Sequence, residues 1–342
     1  MKKFMALVLA LVMVFAMAAC KTGYSDDSDK NKEEDKTQQN GGDNQKDKVK
    51  IAVLSGPTGM GIVKMIADNK AGNTKNDYVI DIFNDPTEVI AKVKLGEYDI
   101  AALPTNVAAK LYNMPDVDIQ MAAVNTLGVL YMLEAGGNTV NSVEDLRGKT
   151  IYTTGENANP QYALEHILKE NGLTVGTDVN VVYEADADKV VAALTNNTTN
   201  VVMLPEPKVT VTLKQLEGVR IALDMNEEWS KIENYQLTQG CVVVQSDFAK
   251  NSKKALDTFL DEYKASIDFV NKNVDEAAEL VVAAGIIAKA PIAKAAIPGC
   301  KLVFMEGAEM KSAIAPFFEL LFASNPTSIG GKLPGDDLYY AR

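Results

Sequence analysis

Between residues 49 and 225 the apolar positions alternate between two spacings. Short apolar runs, "VKIAVL", "YVIDIF" and "YDIAAL", predict strands. Between them "TEVIAKVKL", stopped by Gly96, and "VAAKLYN" carry apolar residues three and four apart and predict helices. Strands that alternate with helices predict mostly parallel sheets covered on both faces. The same order then begins again. "KTIYTT" predicts a strand and "GENANP" a turn. "QYALEHILKENG" predicts a helix with Pro160 at its start and Gly172 as its stop. "VNVVYEAD", "ADKVVAAL" and "NVVML" follow as strand, helix and strand, then "PEP" and "KVTVTLKQL". The registers match: Val89-Ile90-Ala91 lies 101 positions before Val190-Val191-Ala192, and Pro104 lies 101 before Pro205. Two lobes of like construction are therefore expected. Two extended apolar passages, around "MAAVNTLGVLYMLEAGG" and "YQLTQGCVVVQSDFAKN", join them and predict a two-stranded hinge. Ser142 and Asp145 form a capping box between the copies. The remainder reads as mostly helical.

The N-terminus departs from this pattern. Lys2 and Lys3 precede an apolar run that ends at Cys20, the layout of an export signal. "MAAC" is similar to a bacterial lipobox, with Met17 where such motifs prefer Leu. That similarity implies cleavage before Cys20 and a lipid on its thiol; an ordinary signal peptide cut nearby is the other reading. Residues 21–48 carry one aromatic side chain and little else to bury, so a disordered tether is expected. The expected division is residues 1–19 signal peptide, 20–48 tether, 49–130 plus 238–342 lobe 1, and 131–237 lobe 2.

The formal charge is −12, about −14 once Lys2 and Lys3 are removed. Nucleic acid is a poor partner for such a chain, because phosphate binding needs basic clusters. Cys241 and Cys300 are too few for a disulfide scaffold; "GCVVV" reads as a core strand, so buried thiols are expected, with pairing left open. His166 is the only histidine and lies mid-helix. No nucleophile elbow and no His/Cys metal spacing occurs, which argues against an enzyme and against a metal or cofactor.

"LSGPTGMGIVKMI", residues 54–66, has the strand, glycine turn, helix layout of a ligand loop. Gly56 and Gly61 have P-loop spacing, but Ile62 and Val63 stand where Lys and Ser/Thr are needed. Lys64 fills the place of the third glycine of a dinucleotide fingerprint. A tight turn or a different polar ligand remains.

The export signal, together with "EVIAKVKLGEYDIAALPTN", "SVEDLRGKTIYTTG" and "LPEP", resembles substrate-binding lipoproteins of ABC importers. The resemblance is to the nitrate/sulfonate/taurine and thiamine-precursor type, of the periplasmic-binding-protein type II fold. The tail "NPTSIGGKLPGDDLYY" is similar to tails of clostridial members. The resemblance implies a two-lobed α/β fold, each lobe a mostly parallel sheet flanked by helices. It also implies a monomer, outside the cytoplasm and held to the membrane through Cys20, that delivers a small molecule to an ABC permease and its ATPase. A surface lipoprotein of this fold acting as a sensor or adhesin is the alternative.

In this fold the turns after strands line the cleft, at helix N-termini that favour polar ligands. Four turns qualify: 56–61, 104–106, 155–160 and 205–207. The expected ligand contacts are Gly56, Thr58, Gly59 and Met60 from the first, and Thr105 and Asn106 from the second. Glu156, Asn157 and Asn159 come from the third and Glu206 from the fourth. Capping is the competing role for Thr105, Asn106, Glu156 and Asn159. Arginine occurs only at 147, 220 and 342, outside these turns, so no guanidinium clamp is expected. A sulfonate held by helix amides, or an amine-bearing solute such as an aminopyrimidine at Glu206, fits this inventory. Trp229, Tyr235, Tyr131 and Tyr162 are either core residues or stacking platforms.

Overall fold

Asp85 and Asp186, 101 positions apart, open equivalent helices in the two halves. Asp85 accepts a hydrogen bond from the Thr87 amide at 2.8 Å, and Asp186 from the Lys189 amide at 2.9 Å. Those helices are α3 (Pro86–Lys94) and α6 (Ala187–Thr195) in a computed structural model that describes residues 46–342. The expected signal peptide, Cys20 and nearly all of the expected tether lie outside the described residues.

The first half runs β1 (Lys48–Leu54), α1 (Pro57–Met60), α2 (Val63–Lys70), β2 (Asp77–Phe83), α3, β3 (Ile100–Pro104), α4 (Thr105–Tyr112) and β4 (Ile119–Thr126). The chain then crosses into β5 (Leu130–Ala135), β6 (Thr150–Thr153), α5 (Asn159–Glu170), β7 (Asn180–Tyr183), α6, β8 (Val201–Pro205), α7 (Lys208–Gln215), β9 (Val219–Asp224) and α8 (Met225–Ile232). It returns as β10 (Gly240–Gln245), α9 (Ser246–Asn251), α10 (Lys253–Lys272), α11 (Val274–Ala283), α12 (Ala290–Ala296), β11 (Leu302–Met305) and α13 (Gly307–Ser324).

Two sheets result, ordered β11-β4-β10-β3-β1-β2 and β7-β6-β8-β5-β9. β1 to β3 pair in parallel, and the returning strand β10 inserts antiparallel between β3 and β4. In the second sheet β6 to β8 pair in parallel, and β5 inserts antiparallel between β8 and β9. The repeated registers thus become a repeated topology: the strand by which the chain enters each sheet, β10 or β5, inserts antiparallel, and β11 adds a second antiparallel strand at the edge of the first sheet. Pairing is mixed for this reason, although most strands of each sheet share one direction.

Apolar residues fill both faces of the first sheet. On one face Ile51 and Val242 pack in a cluster with Phe259 and Ile267 of α10 and residues of α2 and α11. On the other, Leu103 packs in a cluster with Ile314 and Phe318 of α13, and this cluster continues into the second half through Trp229 of α8 and Leu164 of α5. Trp229 on α8 meets Phe317 on α13 edge-on at 5.7 Å, and both are fully buried. The halves are therefore joined by a shared apolar contact as well as by the two chain crossings. Gly96 and Gly172, at positive φ, end α3 and α5 as their positions predict. The Ser142–Asp145 bonds form, around a short 3-10 turn at Glu144–Leu146.

Candidate functional site

The seam between the sheets is built where β1, β3, β6 and β8 end. Two helix N-termini meet there. Asn159, first residue of α5, donates from Nδ2 to Thr105 Oγ1 at 2.8 Å and to the Gln239 carbonyl at 3.3 Å. Thr105, first residue of α4, donates in turn to the Thr238 carbonyl at 3.2 Å. The cap position of α5 is Ala158, and Asn159 caps nothing. Its side chain bridges the halves, which corrects the expected capping role.

Six buried side-chain polar atoms lack a hydrogen-bond partner among the described residues; besides Asn113 Oδ1 and Asn226 Oδ1, four belong to residues at or beside this crossing. Asn106 Oδ1, Asn159 Oδ1, Thr238 Oγ1 and Gln239 Nε2 are buried and have no hydrogen-bond partner among the described residues. Asn106 is 4% exposed, Asn159 1% and Thr238 0%. A buried polar group left unpaired costs about 1–3 kcal/mol, so each of the four is an open hydrogen-bonding position. Thr238 and Gln239 were not anticipated from the sequence. They lie in the returning crossing, where "LTQG" interrupts an apolar run, and that interruption was the available signal.

Three hollows follow the seam. The central one, about 150 Å³, lies over the strand ends and is lined by Leu54, Thr58, Pro104, Val129 and Gln239. A flanking one of about 460 Å³ lies between α3, α4, the start of α5 and the turn at Pro326–Ile329. The third, about 370 Å³, lies between α7 and α12 and contains Tyr131, Glu206 and Gly299.

The first turn divides between seam and core. Gly56, at φ 112°, takes a backbone shape open to glycine, and nothing lies within 4 Å of where its Cβ would be. Thr58 lines the central hollow while its hydroxyl donates to the Leu54 carbonyl at 2.9 Å. Gly59 faces inward: a Cβ there would stand 2.8 Å from the Leu54 carbonyl oxygen and 3.1 Å from Ile286. Its missing side chain serves helix–strand packing. Met60 is fully buried in the lobe core, its sulfur 3.6 Å from Cys300 Sγ. The structure therefore brings together Thr58, Thr105, Asn106 and Asn159, and sets Gly59 and Met60 behind them. Asn157, at φ 59°, lines the flanking hollow; Glu156 is exposed to solvent.

Glu206 lies on the opposite flank. It accepts from the Thr210 amide at 3.1 Å and the Thr210 hydroxyl at 2.8 Å. Burial pushes its carboxyl above the ordinary carboxylate range, against those hydrogen bonds. It packs across the seam on Gly299, whose carbonyl accepts from Tyr131 Oη at 3.0 Å. Tyr162 marks the other end, where its hydroxyl accepts from Asn325 Nδ2 at 3.0 Å. Trp229 and Tyr235 pack together in the core at 5.6 Å. His166 bonds Glu233 at 2.7 Å beside Trp229. The arginines hold structural positions: Arg220 pairs with buried Glu134 at 2.6 Å, Arg147 with Glu144 and Asp178, and Arg342 with Asp261 and Glu306. Cys241 and Cys300 are buried and free.

Two lobes of repeated topology, joined by two crossings and meeting at their strand ends, define the periplasmic-binding-protein type II fold. Solved structures agree. An ABC transporter structure from Parabacteroides distasonis is 23% identical, covers 86% of this chain and 99% of its own, and superposes with a TM-score of 0.73. The periplasmic aliphatic sulphonate binding protein SsuA of Escherichia coli is 15% identical, with 86% and 92% covered and a TM-score of 0.69. The periplasmic nitrate-binding protein NrtA of Synechocystis PCC 6803 is 12% identical, with 86% and 84% covered and a TM-score of 0.56. No curated protein matches the chain. Residues 69–288 match the family described as ABC transporter, phosphonate, periplasmic substrate-binding protein, and the chain belongs to that family. It is the periplasmic substrate-binding component of an ABC transporter, a transport protein and not an enzyme. The binding-protein class and two-lobed fold read from the sequence hold, and the family matched is the phosphonate one.

Proposed function

We propose that this chain captures a small polar organic solute in the seam between its lobes and hands it to a membrane permease driven by an ATPase. The observation that carries this reading is the cluster of unpaired buried atoms on Asn106, Asn159, Thr238 and Gln239. They offer both acceptors and donors, and they come from both lobes and from the returning crossing. A solute bonded to all of them holds the lobes together, so binding favours the closed arrangement by its differential affinity. The N-termini of α4 and α5 add positive partial charge, which suits a phosphonate, sulfonate or other oxyanion without an arginine. Thr58, Thr105 and Asn157 belong to the same contact set, with Gly56 shaping the first turn. Glu206 offers a second acceptor on the far flank for an amino group. The protein works as a monomer, held outside the cytoplasm by a lipid on Cys20.

The test is thermal shift of the protein against phosphonates, sulfonates and aminopyrimidines. A solute that binds the folded state raises the melting temperature. The expected result is a rise with one of these classes that disappears in Asn159→Ala. A rise that survives in both Asn159→Ala and Gln239→Ala removes the seam as the capture site. For the anchor, metabolic labelling with an alkyne fatty acid is expected to mark the parent chain and not Cys20→Ser. Equal labelling removes the anchor.

A further inference from the structure

The flanking hollow is three times the size of the central one, about 460 Å³ against about 150 Å³. Small-molecule sites usually span roughly 300–1,000 Å³, so the central hollow alone is too small to hold an organic solute, and the flanking one is not. Its walls come from both lobes. Ile90 of α3, Val107 and Leu111 of α4, and Met114 just after α4 supply apolar surface, and Tyr162 of α5 lines the same hollow. Lys110, Asn157, Asn325, Thr327 and Ser328 supply polar surface on the remaining walls, and one polar atom of the lining residues is buried without a partner. Asn106 lines the hollow, is 4% exposed, and its Oδ1 has no partner among the described residues. An amide oxygen in that position requires a donor. The C-terminal turn closes the far side, tied to the second lobe by the Asn325–Tyr162 bond.

We infer that this hollow is an annex of the capture site that takes the apolar arm of an amphipathic solute, with a donor group on that solute bonded to Asn106 Oδ1. The inference rests on the reading of the seam as the capture site, and it adds the ligand's shape: a hydrogen-bonding head with an N–H or O–H beside it, and an aliphatic or flat aromatic arm. A head without an arm leaves the annex unfilled. An arm without a donor leaves Asn106 unpaired.

The test uses the full chain and a series of straight-chain carboxamides from acetamide to hexanamide, with matched methyl ketones that lack the donor. Binding is followed by NMR titration of assigned backbone amides. Each methylene that enters an apolar site tightens binding by about fourfold. The expected result is that gain along the amide series, with shifts at Val107 and Leu111, and amides bound more tightly than ketones. Val107→Trp, and independently Ile90→Trp, fill the annex from different helices and are expected to abolish the gain with length. Asn106→Leu is expected to abolish the preference for amides. A flat response to length, or an equal gain in both Trp variants, overturns the annex. Shifts confined to Asn159 and Gln239 do so while leaving the seam as the capture site. Absence of any shift near either overturns the annex and leaves the seam to the thermal-shift test with phosphonates, sulfonates and aminopyrimidines.

Discussion

Asn159 on α5 and Thr105 on α4 meet across the seam at 2.8 Å, each the first residue of its helix and each from a different lobe. A hydrogen bond between neutral side chains is worth about 1 kcal/mol. Asn159→Ala is therefore expected to destabilise by about that amount and to loosen the contact between the lobes. Small-angle scattering reads this directly: the variant should show a larger radius of gyration than the parent. An unchanged radius would mean that other contacts set the lobe arrangement.

Gly299 and Glu206 bring the lobes together on the other flank. A Cβ on Gly299 would stand 2.9 Å from Glu206 Oε1 and 3.0 Å from its Cγ. Gly299→Ala pushes the lobes apart there without touching either core. The expected outcome is a several-fold weaker affinity for whichever solute thermal shift identifies, with a melting temperature of the free protein near that of the parent. Affinity equal to the parent's would show that this flank moves independently of capture.

Glu206 also gives a pH dependence. Burial raises its folded-state pKa, with Thr210 opposing. The folded chain then binds a proton more tightly than the unfolded chain, so its stability falls as pH rises from the ordinary carboxylate value, ~4, through the raised one. Glu206→Gln removes that loss. The melting-temperature difference, variant minus parent, is expected to grow from about pH 4 toward neutrality. A difference that is flat or shrinks over that range contradicts the assignment.

Glu134 behaves oppositely. Desolvation pushes it upward, but hydrogen bonds from Thr139 and Val140 and the Arg220 pair outweigh that and bring it to about 2. Its contribution to stability is present above the ordinary carboxylate value and is lost as pH falls toward about 2. Arg220→Met strands the buried carboxylate and is expected to cost about 3 kcal/mol near neutral pH, read by urea unfolding. A cost below about 1 kcal/mol would mean that Thr139 and Val140 hold Glu134 on their own.

The repeat made the architecture legible. The 101-residue offset of "VIA" and "VVA" and of the two prolines reappears as α3 and α6, and as β3 and β8, in equivalent places. The turns that form the seam were legible for the same reason, since each follows a strand and opens a helix. Which way a turn residue faces was not. Gly59 and Met60 have neighbours in sequence that line the seam, yet α1 is a single turn and rolls both against Leu54, Ile286 and Cys300. That orientation is set by Ile286 and Cys300, more than two hundred positions away. Glu206 was visible as a carboxylate between prolines; its partner Thr210 lies one helical turn on, and its neighbour Gly299 is far along the chain. Thr238 and Gln239 sit in a crossing whose apolar character suggested a plain hinge. Asn325 belongs to a tail that carried a likeness but no chemistry.

The most direct measurement is a crystal structure of the protein with its best thermal-shift solute. The expected result is solute density between the starts of α4 and α5, within hydrogen-bond distance of Asn159 and Gln239, with contacts to both lobes. Density on the outer face of one lobe, with Asn106, Asn159, Thr238 and Gln239 left unpaired, would contradict capture at the seam.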